Sequence, residues 1–125
     1  MAKKLLPIIL LGLLAGGCST TITNLTPNQE SRNANGFYLI EVALNSTQQT
    51  MRWDSIKPNV VVGKEFYSMK HTALMTNRWE TLVPVPPGVN TVYYRFKFDF
   101  KRNVFAADPQ PDSKLSRTYK LTLTQ

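Results

Sequence analysis

The chain has 125 residues, 42% of them hydrophobic, and fifteen Lys and Arg against eight Asp and Glu give a formal net charge of +7. That length fits one domain and not two. A single cysteine excludes an intrachain disulfide, and one histidine with one cysteine cannot supply a four-ligand zinc site. The basic residues are scattered and no recognition motif accompanies them, so no nucleic-acid partner is expected.

Residues 1 to 17 are expected to be a cleaved export signal. Lys3 and Lys4 form a basic n-region, Leu5 to Ala15 an almost wholly apolar run, and Gly16 and Gly17 put small residues before Cys18. The run is too short to span a bilayer, which takes about 20 residues. Leu14-Ala15-Gly16-Gly17-Cys18 resembles the lipobox of bacterial lipoproteins, with Ala15 where that pattern usually has Leu. The resemblance implies cleavage before Cys18 and a lipid anchor on its sulfur. With Ser19 and no Asp following, it also implies an outer-membrane lipoprotein facing the periplasm. Acyl chains at about 0.8 kcal/mol per buried methylene would hold the domain at a membrane permanently.

Without Lys3 and Lys4, thirteen basic and eight acidic residues leave a charge of +5 on the mature chain. Residues 18 to 35, rich in Ser, Thr, Asn and Gln, predict a lipidated tether in which Thr21 to Leu25 is a possible first edge strand. From residue 36 the chain alternates with period two. Tyr38, Ile40, Val42 and Leu44 share one face of the first clear strand, and Thr50 to Ile56 is a second candidate. Val60 to Val62 and Glu65 to Met69 flank Gly63-Lys64 as a tight hairpin, with Gly63 supplying positive φ. Arg78 to Val85 follows, and its prolines place its end at an edge or turn. Val92, Tyr94, Phe96, Phe98 and Phe100 alternate with Tyr93, Arg95, Lys97, Asp99 and Lys101 in the clearest strand. Asp108-Pro109-Gln110-Pro111-Asp112 reads as a stiff, solvated loop, and Tyr119, Leu121 and Leu123 close the domain. No helical period occurs after the signal. The expected fold is all-β, an antiparallel two-sheet immunoglobulin-like sandwich of about seven strands over residues 36 to 125.

Catalytic chemistry finds little support. His71 is the one histidine, it follows Lys70, and no nucleophile elbow accompanies it. No enzyme, metal site or cofactor is expected. The candidate binding residues are Trp53 and Trp79, since an exposed indole can stack on a sugar ring or peptide. The outward row Tyr93, Arg95, Lys97 and Lys101 is the other candidate, suited to an anionic partner. The core is the preferred place for Trp79, whereas Trp53, between Arg52 and Asp54, is left open.

Asn77-Arg78-Trp79-Glu80-Thr81-Leu82-Val83-Pro84-Val85-Pro86, with Tyr94 to Phe100 and Asp112 to Ser116, resembles small uncharacterised bacterial lipoproteins of the same layout, a likeness that brings no activity. Residues 79 to 109 are also similar to glycogen-binding modules of immunoglobulin-like fold through Gly88, Tyr94, Phe96, Asp99, Asp108 and Pro109. There Arg95 takes a basic position that contacts sugar in some members. The tryptophan such modules carry after the Asp is replaced by Phe100-Lys101-Arg102-Asn103. The function expected is a non-catalytic binding or scaffolding lipoprotein with an envelope protein as partner. A carbohydrate-binding module for glucan or peptidoglycan is the alternative, with a small hydrolase as a lesser one.

Overall fold

The computed structural model describes residues 19 to 125, so the signal segment and Cys18 lie outside the described residues. Ten strands follow in order: β1 (Thr20–Asn24), β2 (Gln29–Ser31), β3 (Phe37–Ser46), β4 (Met51–Val62), β5 (Glu65–Ser68), β6 (Lys70–His71), β7 (Arg78–Pro84), β8 (Thr91–Val104), β9 (Ala107–Leu115) and β10 (Tyr119–Thr124). Period-two alternation decides which face each strand buries. In β3, Tyr38, Ile40, Val42 and Leu44 are buried while Phe37 and Leu39 face water, and in β8 the set Val92, Tyr94, Phe96, Phe98 and Phe100 is buried throughout.

One sheet has the order β1-β3-β7-β6, and the other β2-β10-β8-β4-β5, with β9 also alongside β8. All pairings are antiparallel except β2 with β10. The strand order is that of an immunoglobulin-like sandwich whose first strand is divided between the two sheets and whose last is divided into β9 and β10. Antibody domains draw their core tryptophan from the strand equivalent to β4 and pack it on a disulfide. Here β7 supplies Trp79, 2% exposed, and it meets Phe98 of the other sheet edge-on, with ring centroids 5.5 Å apart at 74°. Tyr94, Phe96 and Tyr119 extend the aromatic layer, their centroids 5.7 to 5.9 Å apart.

Three local features depart from the sequence expectations. The segment read as a tether with a possible edge strand at Thr21 to Leu25 contributes two strands: β1 pairs with β3 from Thr20 to Asn24, close to the expected span, and β2, in the stretch expected to be tether, pairs with β10. Where the chain crosses between sheets, the Thr26 hydroxyl accepts the Glu41 N–H at 2.9 Å and donates to the Glu41 carbonyl at 3.2 Å, replacing ladder bonds lost at the kink. Hydrogen bonds of this kind leave no apolar period to read. The Asp108 to Asp112 segment lies within β9 rather than in a loop. The Lys101 N–H is spent on the Ser55 hydroxyl on the β4 side, so Pro111, opposite Lys101, turns its ring nitrogen to the free edge, and by alternation Pro109 does the same. The second candidate strand and the start of the hairpin are one strand, β4, with a bulge inside it. The hairpin turn itself is as expected, with Val62 opposite Glu65 and Gly63 at φ 59°.

Asn24 ties β1 to the opposite sheet, its side-chain amide donating to the Tyr94 hydroxyl at 2.8 Å. Burial of Tyr94 pushes its phenol above the ordinary value of 10.0, and the Asn24 hydrogen bond opposes that rise without cancelling it. A phenol that ionises more readily in the unfolded chain draws the equilibrium toward unfolding once pH exceeds the unfolded value. This contribution is complete below pH 10.0 and is lost as pH climbs through the raised folded value. Urea titrations in that alkaline window are expected to show a falling midpoint, and Tyr94→Phe should flatten the slope.

Candidate functional site

The alternation that buries one side of β8 projects Tyr93, Arg95, Lys97, Asp99 and Lys101 from the other, onto the outer face of the larger sheet. Cross-strand register supplies their neighbours. Lys120 of β10 lies opposite Tyr93; Val61, Asn59 and Lys57 of β4 lie opposite Arg95, Lys97 and Asp99; Arg52 lies opposite Lys101. Leu115 of β9 faces Lys97, and Phe66 of β5 faces Val61. The result is a flat face on which six cations surround Tyr93 and Phe66, 62% and 59% exposed. The Lys97 ammonium sits 5.9 Å from the Phe66 ring centroid and 3.6 Å from the Asp99 carboxylate. Arg52 lies 3.7 Å from Asp54. Ion pairs this exposed contribute about 0 to 1 kcal/mol, so these cations can exchange their partners for an incoming anion.

The four residues singled out on β8 are thus gathered on one face. Lys57, Lys120, Phe66 and Leu115 complete it and were not singled out, because their membership depends on register between strands that sequence alternation does not give.

The two tryptophans go elsewhere. Trp79 lies in the core and cannot stack on a ligand without parting the sheets; its ring lies against that of the exposed His71, centroids 4.9 Å apart and planes tilted by 33°. Trp53 sits in the β4 bulge. Between the Arg52–Lys101 and Lys57–Asp99 pairs, residues 53 to 56 oppose the single residue Phe100. Ser55 closes the bulge by accepting the Lys101 N–H at 2.8 Å and donating to the Arg52 carbonyl at 2.6 Å. Bulges re-aim side chains, and this one turns Trp53, 40% exposed, over an open depression shared with His71, Thr76 and Asn77. Another hollow, about 610 Å³, lies at the opposite end among Phe37, Tyr67, Val85 and Pro86. Cys18 lies outside the described residues.

No protein-family model matches the chain, and no curated protein sequence is similar to it. Among solved structures it is similar to AggA, the major subunit of aggregative adherence fimbriae type I from Escherichia coli, at 11% identity and a TM-score of 0.46, covering 86% of this chain and 95% of that one. It is also similar to murine CRIg at 10% identity and a TM-score of 0.44, covering 84% and 99%. Likeness at this level carries no argument about function. The immunoglobulin-like assignment rests on the strand order itself.

Proposed function

We propose that this chain is a non-catalytic binding module, anchored by a lipid on Cys18 to the outer membrane on its periplasmic side, that engages an envelope protein through the outer face of the larger sheet. The observation that carries the reading is the contiguous array of Lys57, Arg95, Lys97, Lys101 and Lys120 around Tyr93 and Phe66, on which Asp99 is the central acid. Cations interleaved with exposed aromatics suit an acidic, partly apolar protein surface, where charge guides encounter and the rings supply desolvated contact. The anchor is supported by the lipobox-like run before Cys18.

The experiment is crosslinking in intact cells from a photoreactive residue at position 93, in the full chain and in an Arg95→Glu/Lys97→Glu variant. The charge reversal is expected to weaken capture at least about tenfold, or about 1.4 kcal/mol, while stability stays within about 0.5 kcal/mol, as for other surface substitutions. Undiminished capture by the reversed face would remove this reading. In the same cells Cys18→Ala is expected to move the protein from the membrane to the soluble fraction, and retention in membranes at high salt would count against the lipid anchor.

A carbohydrate reading draws on one observation, the exposed Trp53 beside His71 and Asn77. It supplies one indole platform. A saturable change in tryptophan fluorescence with soluble glucan or peptidoglycan fragments, abolished by Trp53→Ala, would favour it over the protein partner.

A further inference from the structure

We infer that the end of the sandwich where the chain enters is a membrane-contacting end, with Phe105 and Leu74 as apolar tips seated in the lipid interface; this rests on the lipid anchor at Cys18 proposed above. The placement follows from a short series of hydrogen bonds. The Ser19 N–H donates to the Thr47 hydroxyl oxygen at 2.8 Å, and the Thr47 N–H donates to the Ser19 carbonyl at 2.8 Å. Close by, the Thr50 carbonyl accepts the Asn103 N–H at 2.7 Å, so the entry point adjoins the β8–β9 hairpin. That hairpin turns at Phe105 and Ala106 between the paired Val104 and Ala107, and Phe105 is 98% exposed. The β6–β7 loop reaches the same end, because the Asn77 carbonyl accepts the Leu44 N–H at 3.0 Å and the Asn77 side-chain amide donates to Asn45 at 3.3 Å. Its tip, Leu74, is fully exposed, and Trp53 lies beside Asn77 at this end too.

Single exposed apolar residues are ordinary. What sets these two apart is that the backbone holds them out. Among the described residues two non-glycine positions have positive φ, and they are Leu74 at 66° and Ala106, next to Phe105, at 56°. The left-handed region is unfavourable for an ordinary L-residue, whose Cβ crowds the following carbonyl oxygen. In each turn, glycine would remove that cost. The strain is retained at both apolar tips and at no other described side chain, which is where strain tends to mark function.

The occupant follows from the chain ahead of Ser19. Only Ser19 separates Cys18 from β1. At about 3.5 Å per residue the attachment point can stand no more than about 7 Å of backbone from the start of β1. A lipid on Cys18 therefore brings this end, and no other, against the headgroups. Aromatic and leucine side chains favour that interface, and a nearby indole is suited to it. Arg52 and Arg102 at this end stand beside the carboxylates of Asp54 and Asp112, each at 3.7 Å, and the groups that enter the interface are the uncharged tips. The contact is apolar and should not need anionic lipid. The sandwich then stands upright on the membrane, and the basic face of β8 looks sideways into the periplasm.

The test uses the full lipidated chain in phosphatidylcholine vesicles, with Phe105→Cys, Leu74→Cys or Lys64→Cys carrying an environment-sensitive dye; Lys64 lies in the hairpin turn at the far end. The unsubstituted chain controls for labelling at Cys18. Dyes at 105 and 74 are expected to shift to the blue and lose intensity when the acyl chains are brominated, equally with and without anionic lipid, while the dye at 64 keeps its spectrum in water. Leu74→Gly, which relieves the left-handed residue and so should not fail to fold, is expected to reduce the quenching at 105. Water-like spectra at 74 and 105 in a vesicle-bound chain would overturn the inference and leave the anchor standing. Failure of the unsubstituted chain to float with vesicles would remove the anchor and the inference with it. A shift in detergent that grows with protein concentration would assign the tips to a second copy and overturn it as well.

Discussion

Phe98→Ala is expected to lower the stability of the sandwich by about 3 to 5 kcal/mol, the usual cost of truncating a buried phenylalanine. Phe98 is at 0% exposure in the middle of β8, paired with Pro58 on one side and Lys114 on the other, and it carries the edge contact to Trp79 across the two sheets. Its ring therefore joins the layers at the position where an antibody domain has a disulfide nearby to do so. Truncation leaves a cavity that β4, β7 and β8 can close only by shifting backbones already fixed by ladder bonds, and removes an aromatic pair contributing about 0.5 to 1.5 kcal/mol beyond its area. Domains of this size are stable by about 5 to 15 kcal/mol in all, so the variant should melt far below the parent or fail to accumulate. Tyr93→Ala, five residues away on the opposite face and 62% exposed, is the matched control and should cost under about 0.5 kcal/mol. The check is a pair of urea titrations. A loss under about 1 kcal/mol at Phe98 would contradict the packing described for the core.

The contrast between these two residues explains which parts of the molecule could be read from the chain. Strands β8 and β10 alternate apolar and polar residues, and β3 and β7 bury alternate residues along most of their length, which is the pattern that burial of one face enforces. Gly63 likewise marks its hairpin because a two-residue turn needs positive φ there. The row Tyr93, Arg95, Lys97 and Lys101 was legible for the same reason, since all four share one strand. What lies across strands was not. Lys57, Lys120 and Phe66 join the face only through registers that depend on the folded sheet, and Trp53 is aimed by a bulge that Ser55 closes from within β4. β1 was legible as a possible edge strand at Thr21 to Leu25, whereas β2 is a short polar strand and the crossing before it is held by backbone bonds and the Thr26 hydroxyl, which leave no periodic trace. The tips at Leu74 and Phe105 escaped notice because neither turn contains the glycine that normally signals a left-handed residue. Sites that break local rules are the ones sequence patterns miss, and they tend to be the functional ones.

Pro109 and Pro111 illustrate the remaining failure, and a second large effect follows from them. Two prolines in a row of alternate residues argue against a strand, yet β9 tolerates both because their ring nitrogens face the free edge while Gln110 and Asp112 keep their places on the β8 side. The arrangement leaves that edge with carbonyls but without the donors that a neighbouring strand would need at those positions. An exposed strand of this length with a full set of donors is a template for pairing between chains. Pro109→Thr/Pro111→Thr restores two outward N–H groups in a residue that favours strands, without touching the core. Releasing the proline constraints should cost about 0.4 to 1 kcal/mol each through the unfolded chain, too little to unfold the domain. The larger consequence is expected in association: the double variant should pass from monomer to concentration-dependent dimers or higher species in sedimentation velocity, with amides of β9 newly protected from exchange. Asp108, Asp112 and Lys114 remain as charged guards on the strand, so the two single variants should associate less than the pair. A double variant as monomeric as its parent across the same concentrations would show that those charges alone protect the edge, and that the prolines serve only to stiffen the hairpin that carries Phe105.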